Sequence, residues 1–461
     1  METIRLRLTG LREALESSLW LYPGIGVALG IIAAFWLGQL GDLGTNLPFV
    51  FAGSADSARS VLSTIAGSTI TVTSLTFSLT VVALQVASGQ FTPRLMRSFL
   101  SDRGNQTVLA IFLGTFAYAL VLLQGVQAES DRITRSIPAL GVTVATGAAL
   151  ASVVALVYFF HHLTVQLRVD KVMQQVAHDT IEEVRTTFRP AIVDDTPPTM
   201  PDVPDDAISV HAPTSGYLAN VALETLVDNA GRAGLSVRLR PPLGSWVVKD
   251  TTIAWTWPSN DEPDLRRDDL GDQAQVPDDA TEDERARHLV LSSIYVASSR
   301  TLDADASFGI RQLVDIAIRA LSPGINDPTT AVEAVRQMSR VMVVLGSHDL
   351  GTIRRTAGAG IVVVPRPDFR EHLHLAVDQV LRYGAGEPAV LRALAVMLRD
   401  VAEVCDGSNR IEAVLDDAAL VAQALQRADL PAISTAEVQE VLSTIAPTAQ
   451  GHVTPTPPRA V

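Results

Sequence analysis

The chain has almost no cysteine: one residue, Cys405, in 461. An internal disulfide framework is therefore excluded, and nothing demands an oxidising compartment. Excess positive charge is lacking too. Lys and Arg total 36 against 50 Asp and Glu, a formal net charge of −14. No basic cluster relieves that balance, which argues against nucleic acid as a partner. No phosphate-cradling GxxxxGK[ST] loop, HExxH zinc pair or GxSxG nucleophile turn occurs. Without a nucleophile–base set or a metal cluster, the sequence reads as a non-enzyme with no cofactor and no metal site. The first apolar stretch is too long for a cleaved signal peptide, contains Trp20 and Trp36, and offers no small-residue cleavage site.

What is present in quantity is apolar length. Hydrophobic residues make up 47% of the chain and mean hydropathy is +0.24, concentrated in the first third. Transmembrane helices are predicted at 18–40, 60–88, 106–126 and 137–160, each near or above the ~20 residues that a bilayer requires. Arg5, Arg7 and Arg12 precede the first span, Arg94, Arg97 and Arg103 follow the second, and Arg168 and Lys171 follow the fourth. The positive-inside rule then places both termini of a multi-pass membrane protein in the cytoplasm. Gly26 and Gly30 form a GxxxG step followed by Ala33 and Ala34, a pattern that allows close helix packing.

The second span contains STITVTSLTFSLTVVALQ, uncharged but with a hydroxyl at nearly every second position. At about 100° per residue, Ser60, Thr64, Thr71, Ser78 and Gln85 fall on one stripe with Gly67 and Gly89, and Ser74 lies at its edge. Thr69, Thr73, Thr76 and Thr80 gather on the opposite face. Two readings stand side by side. Hydroxyls can bond back to the carbonyl of residue i−4 and serve packing only. Alternatively Ser60, Thr64, Thr71, Ser74, Ser78 and Gln85 line a path for a small ion or solute. No span carries Asp, Glu, Lys or Arg well inside it, which suits a passive path better than a proton relay. The following QFTPRLMRSFL reads as an interfacial amphipathic turn after Pro93.

The expected fold class is a four-helix membrane domain (1–165) followed by a cytoplasmic α+β region. That region divides into a helical connector and linker (166–206), a small β module (207–257), an acidic loop (258–285), a mainly α-helical domain (286–445) and a disordered tail (446–461). His161 and His162, adjacent at the end of the fourth span, point about 100° apart on a helix and make a poor metal pair. His372 and His374 are likewise set to face different sides. The module is read as strands SGYLANV, LSVRLR and SWVVKDTTIAWTW, with a short helix at 223–233 after the first. Residues 307–345 read as helix, tight turn, helix. Arg311, Asp315 and Arg319 form an i,i+4 charge ladder on the first. Asp327 suits an N-cap and Pro328 the first helical position of the second. Capping explains Asn326 and Asp327; the alternative is an assembly or ligand contact made by Arg311, Asp315, Arg319, Asn326 and Asp327.

The segments STITVTSLTFSLTVVALQVASGQFTPRL and FGIRQLVDIAIRALSPGINDPTTA resemble the predicted bacterial membrane proteins grouped as domain of unknown function 2254. The resemblance covers most of the chain. It implies a bacterial plasma-membrane protein and brings no activity, ligand or catalytic residue. The residues themselves support two functions. One is a homo-oligomeric channel-like protein whose cytoplasmic domain controls the path, by analogy of layout alone with small-conductance mechanosensitive channels. The other is a membrane-anchored sensor or scaffold whose cytoplasmic domain binds a ligand or protein.

Overall fold

The computed structural model describes residues 20–39, 50–90, 102–129, 139–166, 168–190, 202–259, 280–302 and 305–453. The amphipathic turn at 91–100 and residues 260–279 of the acidic loop lie outside them. The chain forms two compact units, residues 9–171 and the remainder from 172 onward.

Among its described residues the first unit holds four long helices: α1 (Leu21–Gln39), α2 (Ala55–Gln90), α3 (Arg103–Glu129) and α4 (Ala139–Gln166). Each is long and apolar enough to cross a membrane. α3 is the hub, with 44% of its span buried against 17–28% for the others. A methyl group on Gly26 would collide with the Ala110 carbonyl, and one on Gly30 with that of Gly114. In return, a methyl on Gly114 would sit 2.8 Å from the Gly26 oxygen. The GxxxG step is thus a packing face, matched by the small pair Ala110 and Gly114 on α3. Tyr118 donates its hydroxyl to the Gly141 carbonyl at 2.8 Å, tying α3 to α4. Leu62, Ile65 and Ala66 of α2 close the bundle against Ala119, Leu122 and Val126 of α3 and Val142 and Ala145 of α4.

In the second unit, α5 (Val169–Thr187) leads to β1 (Ile208–His211), β2 (Gly216–Val221), α6 (Leu223–Arg232), β3 (Leu235–Leu239), β4 (Trp246–Val247) and β5 (Thr252–Pro258). There follow α7 (Glu282–Ser292), β6 (Ile294–Ala297), α8 (Ala306–Ala320), α9 (Pro328–Leu345), β7 (Ile353–Ala357) and β8 (Gly360–Val364). The chain closes with α10 (Phe369–Gly384), α11 (Pro388–Ala402), α12 (Ser408–Arg427) and α13 (Ala432–Val453). A five-stranded sheet runs β1-β5-β3-β8-β7, and a smaller one β4-β2-β6. The strands are therefore not confined to residues 207–257. β3 pairs in parallel with β8, Val237 opposite Val362, and the β7–β8 hairpin turns tightly at Gly358, whose φ of 58° favours glycine. Leu235, Val237, Leu239, Val362 and Val364 share one core. Pairing across more than a hundred residues leaves no local trace in either strand.

Helix ends follow their sequence signals. Asp327 accepts from the Thr330 amide at 3.1 Å with Pro328 at the first position of α9, and Thr281/Glu284 and Asp368/Glu371 form reciprocal capping boxes. α13 continues through Pro447 to Val453, into the region read as tail. Most of α5 is docked within this unit. Thr180 fills the space where Gly309 of α8 lacks a side chain, and Phe188 lies under Arg366 at 5.1 Å. Burial pushes the Arg366 guanidinium down to about 10, with Arg355 adding repulsion.

Candidate functional site

α2 presents the two polar faces expected of it, and they meet different surroundings. Ser60, Thr64, Thr71, Ser74, Ser78 and Gln85 are all exposed, turned away from the rest of their own bundle. Thr69, Thr73 and Thr76 are buried against it and Thr80 is half-buried. On both faces hydroxyls bond back to their own helix: Thr64, Thr71 and Ser74 outside, Thr69, Thr73, Thr76 and Thr80 inside. Thr64 donates to the Ser60 carbonyl at 2.7 Å, Thr71 to Gly67 at 2.8 Å and Ser74 to Ile70 at 3.0 Å. On the inner face Thr69 donates to Ile65 at 2.6 Å, Thr73 to Thr69 at 2.7 Å, and Thr76 and Thr80 one turn back at 2.9 Å. Such groups need no further acceptor for their protons in an apolar medium. Their oxygen lone pairs remain available on the exposed face.

The exposed stripe has apolar borders. Leu75 and Val82 flank one side and Ile70, Phe77 and Val81 the other, all 38–55% exposed. The order around the helix is therefore apolar, polar, apolar, with the buried threonines behind. Gly67 sits in the polar stripe with open space around it.

A second polar cluster joins the first turn of α3 to the last turn of α4. His162 Nε2 lies 2.9 Å from Asp102 Oδ1 and 3.0 Å from Gln166 Nε2, and Asn105 donates to Gln166 at 3.3 Å. Asp102 also accepts from the Asn105 amide at 2.8 Å, so it caps α3. Gly104 leaves room for the imidazole, since a methyl there would stand 2.6 Å from Nε2. His162 alone, without reference to the distant Asp102, carried no such signal in the sequence.

The ladder on α8 is more enclosed than its spacing suggests. Arg311 Nε is 2.9 Å from Asp315 Oδ1, and the Asp315 side chain is only 5% exposed. Arg311 and Arg319 are half-buried. Asn326 adopts a left-handed conformation with φ of 50° in the exposed turn before α9. Asp327 is occupied by capping, and its bonds to Thr330 hold its carboxyl below the usual range. His372 is fully enclosed, hydrogen-bonded through Nδ1 to the Asp368 carbonyl at 2.6 Å, and burial pushes its pKa down. His374 instead faces outward, 3.6 Å from Asp417. Among the described residues no group of three or more His, Cys, Asp or Glu is arranged to hold a metal ion.

Comparison with known proteins places these features in a family. A model described as predicted membrane protein, DUF2254, matches residues 16–400. The chain is 35% identical over 426 residues to uncharacterised proteins of Mycobacterium bovis and Mycobacterium tuberculosis, covering 91% of this chain and 78% of each relative. No solved structure matches. The four apolar helices and the helical, small-sheet region behind them are those of a membrane protein, and the chain belongs to the DUF2254 family.

Proposed function

We propose that the protein is a homo-oligomeric, channel-like protein of the bacterial plasma membrane, with both termini cytoplasmic and its path lined by the exposed stripe of α2. The observation that carries this reading is the order of side chains around that helix. Six polar, uncharged residues face outward between two apolar borders. In a ring of copies the borders would meet neighbouring helices while the stripe faced the centre. Back-bonding spends the protons of Thr64, Thr71 and Ser74 on the helix and turns their lone pairs outward. A lining of that kind suits small cations or neutral solutes over anions. The C-terminal unit would act on the path through α5, whose Thr180 packs on Gly309 and which is followed by Phe188 under Arg366.

A sensor or scaffold anchored by the same helices is the second reading, favoured by hydroxyls that are satisfied without water. Flux separates the two. In liposomes, Thr71→Leu with Ser78→Leu should cut flux at least tenfold while oligomer size is kept. Cysteines placed at Thr64, Thr71 and Ser78 should react with water-soluble thiol reagents, Cys405 being buried. Unreactive cysteines together with no flux in the parent protein would leave the sensor or scaffold.

A further inference from the structure

We infer that the C-terminal unit carries a self-complementary surface, a groove between α9, α11 and α13 that pairs with a second copy of the chain about a two-fold axis. The groove has a volume of about 800 Å³. Its floor is the small, apolar stripe Ala389, Ala393 and Val396 of α11. One wall carries three exposed arginines: Arg336 and Arg340 stand one turn apart on α9, with Arg392 beside them on α11. Arg336 is held by Glu333 at 3.4 Å, and Glu387 and Asp400, at the start and near the end of α11, line the groove too, so Arg340 and Arg392 supply its open positive charge. Arg340 donates to the Gln337 side-chain oxygen Oε1 at 2.6 Å. Among the described residues neither Arg340 nor Arg392 has a carboxylate partner.

The opposite wall is the start of α13, and it is acidic. Glu437 lines the groove, and Glu440 follows one turn on. Both are exposed, and among the described residues neither meets a cation. Ile433 precedes them on the same stripe at i, i+4 and i+7. It is 78% exposed, a large apolar side chain left almost wholly uncovered. One face therefore bears an apolar-floored groove, an arginine-bearing wall, an acidic ridge and a protruding isoleucine. A two-fold contact sets each ridge against the other copy's arginines and lowers each Ile433 onto the other copy's alanines. An isologous interface requires such a patch to complement itself. Opposite charges across it fix register and reject a shifted pairing.

This inference rests on the homo-oligomer proposed above, and the test separates the two. Full-length copies carrying two different tags are co-expressed, one with Ile433→Cys and the other with Ala389→Cys. Cys405 stays in place, buried, as the background. Mild oxidation should give a disulfide between differently tagged copies. Arg336→Glu with Arg340→Glu in one copy should lower that product at least tenfold, and Glu437→Arg with Glu440→Arg in the other copy should restore it. These substitutions are at exposed positions, and unchanged melting curves would verify the fold. Differently tagged copies that co-purify without the disulfide would sink this surface and leave the oligomer standing, with the groove free for a peptide or small ligand. Copies that do not co-purify at all would overturn both.

Discussion

The two units of the chain are held together by opposite means. In residues 9–171 the tightest contact is made by withholding side chains: Gly26 and Gly30 let α1 lie on Ala110 and Gly114 of α3. In the unit that follows, contacts are made by filling space, with Leu, Val and Met side chains such as Leu313, Met338, Leu394 and Met397 fully enclosed. The contrast follows from the solvent. Lipid gives apolar side chains no reason to leave it, so close backbone approach and dispersion carry the packing. Water drives apolar area inward, and the C-terminal unit buries it. Polar groups obey the same division. The threonines of α2 bond to their own helix, whereas in the second unit the buried Asp315 carboxylate is met by Arg311.

The largest effect that would sharpen this comparison is expected at Asp315. Removing one partner of an enclosed ion pair strands the other, so Asp315→Ala should destabilise the C-terminal unit by about 3 kcal/mol. A thermal or denaturant melt of the full protein would record the loss. Lost self-association with unchanged melting would instead make the ladder an assembly contact. Next in size comes Gly30→Val. The added side chain must displace the Gly114 backbone, a cost of about 1–3 kcal/mol for overpacking, read as a lower melting temperature in detergent. Gly24→Val is the control, because nothing stands within 4 Å of a methyl there. Equal behaviour of the two variants would mean that the GxxxG step does not hold α1 to α3.

The sequence carried these features unevenly. The apolar lengths of the spans, the Asp327–Pro328 start of α9 and the alternation of β2, α6 and β3 are local patterns, and each stands close to where it was expected. The two faces of α2 were also readable, because periodicity alone sorts residues by angle. What periodicity does not carry is the neighbour that each face meets. Arg311, Asp315 and Arg319 have the spacing of a solvated ladder, and tertiary packing onto α8 leaves Asp315 only 5% exposed. The parallel pairing of β3 with β8, the His162–Asp102 contact and the groove over α11 each join distant residues. They are tertiary facts, and a lone strand, a lone histidine or an alanine stripe does not announce them.

The smallest effect is the most discriminating for the two faces of α2. Thr71 and Thr73 are two residues apart and each donates to its own helix, at 2.8 and 2.7 Å. Valine keeps nearly the same shape and removes only the hydroxyl, while the carbonyl one turn back retains its backbone donor. Each Thr→Val change should therefore cost less than about 1 kcal/mol, since polar contacts in membrane bundles average about 0.6 kcal/mol. Stability and oligomer size should stay the same for both. Their surroundings differ, however: Thr73 is 8% exposed within the bundle, and Thr71 faces outward. If the outward stripe lines a path, Thr71→Val makes that stretch less wettable and lowers flux severalfold. Thr73→Val should leave flux as it was. Equal flux from the two variants would place both faces in packing. A larger loss from Thr73→Val would put the path on the wrong side of the helix.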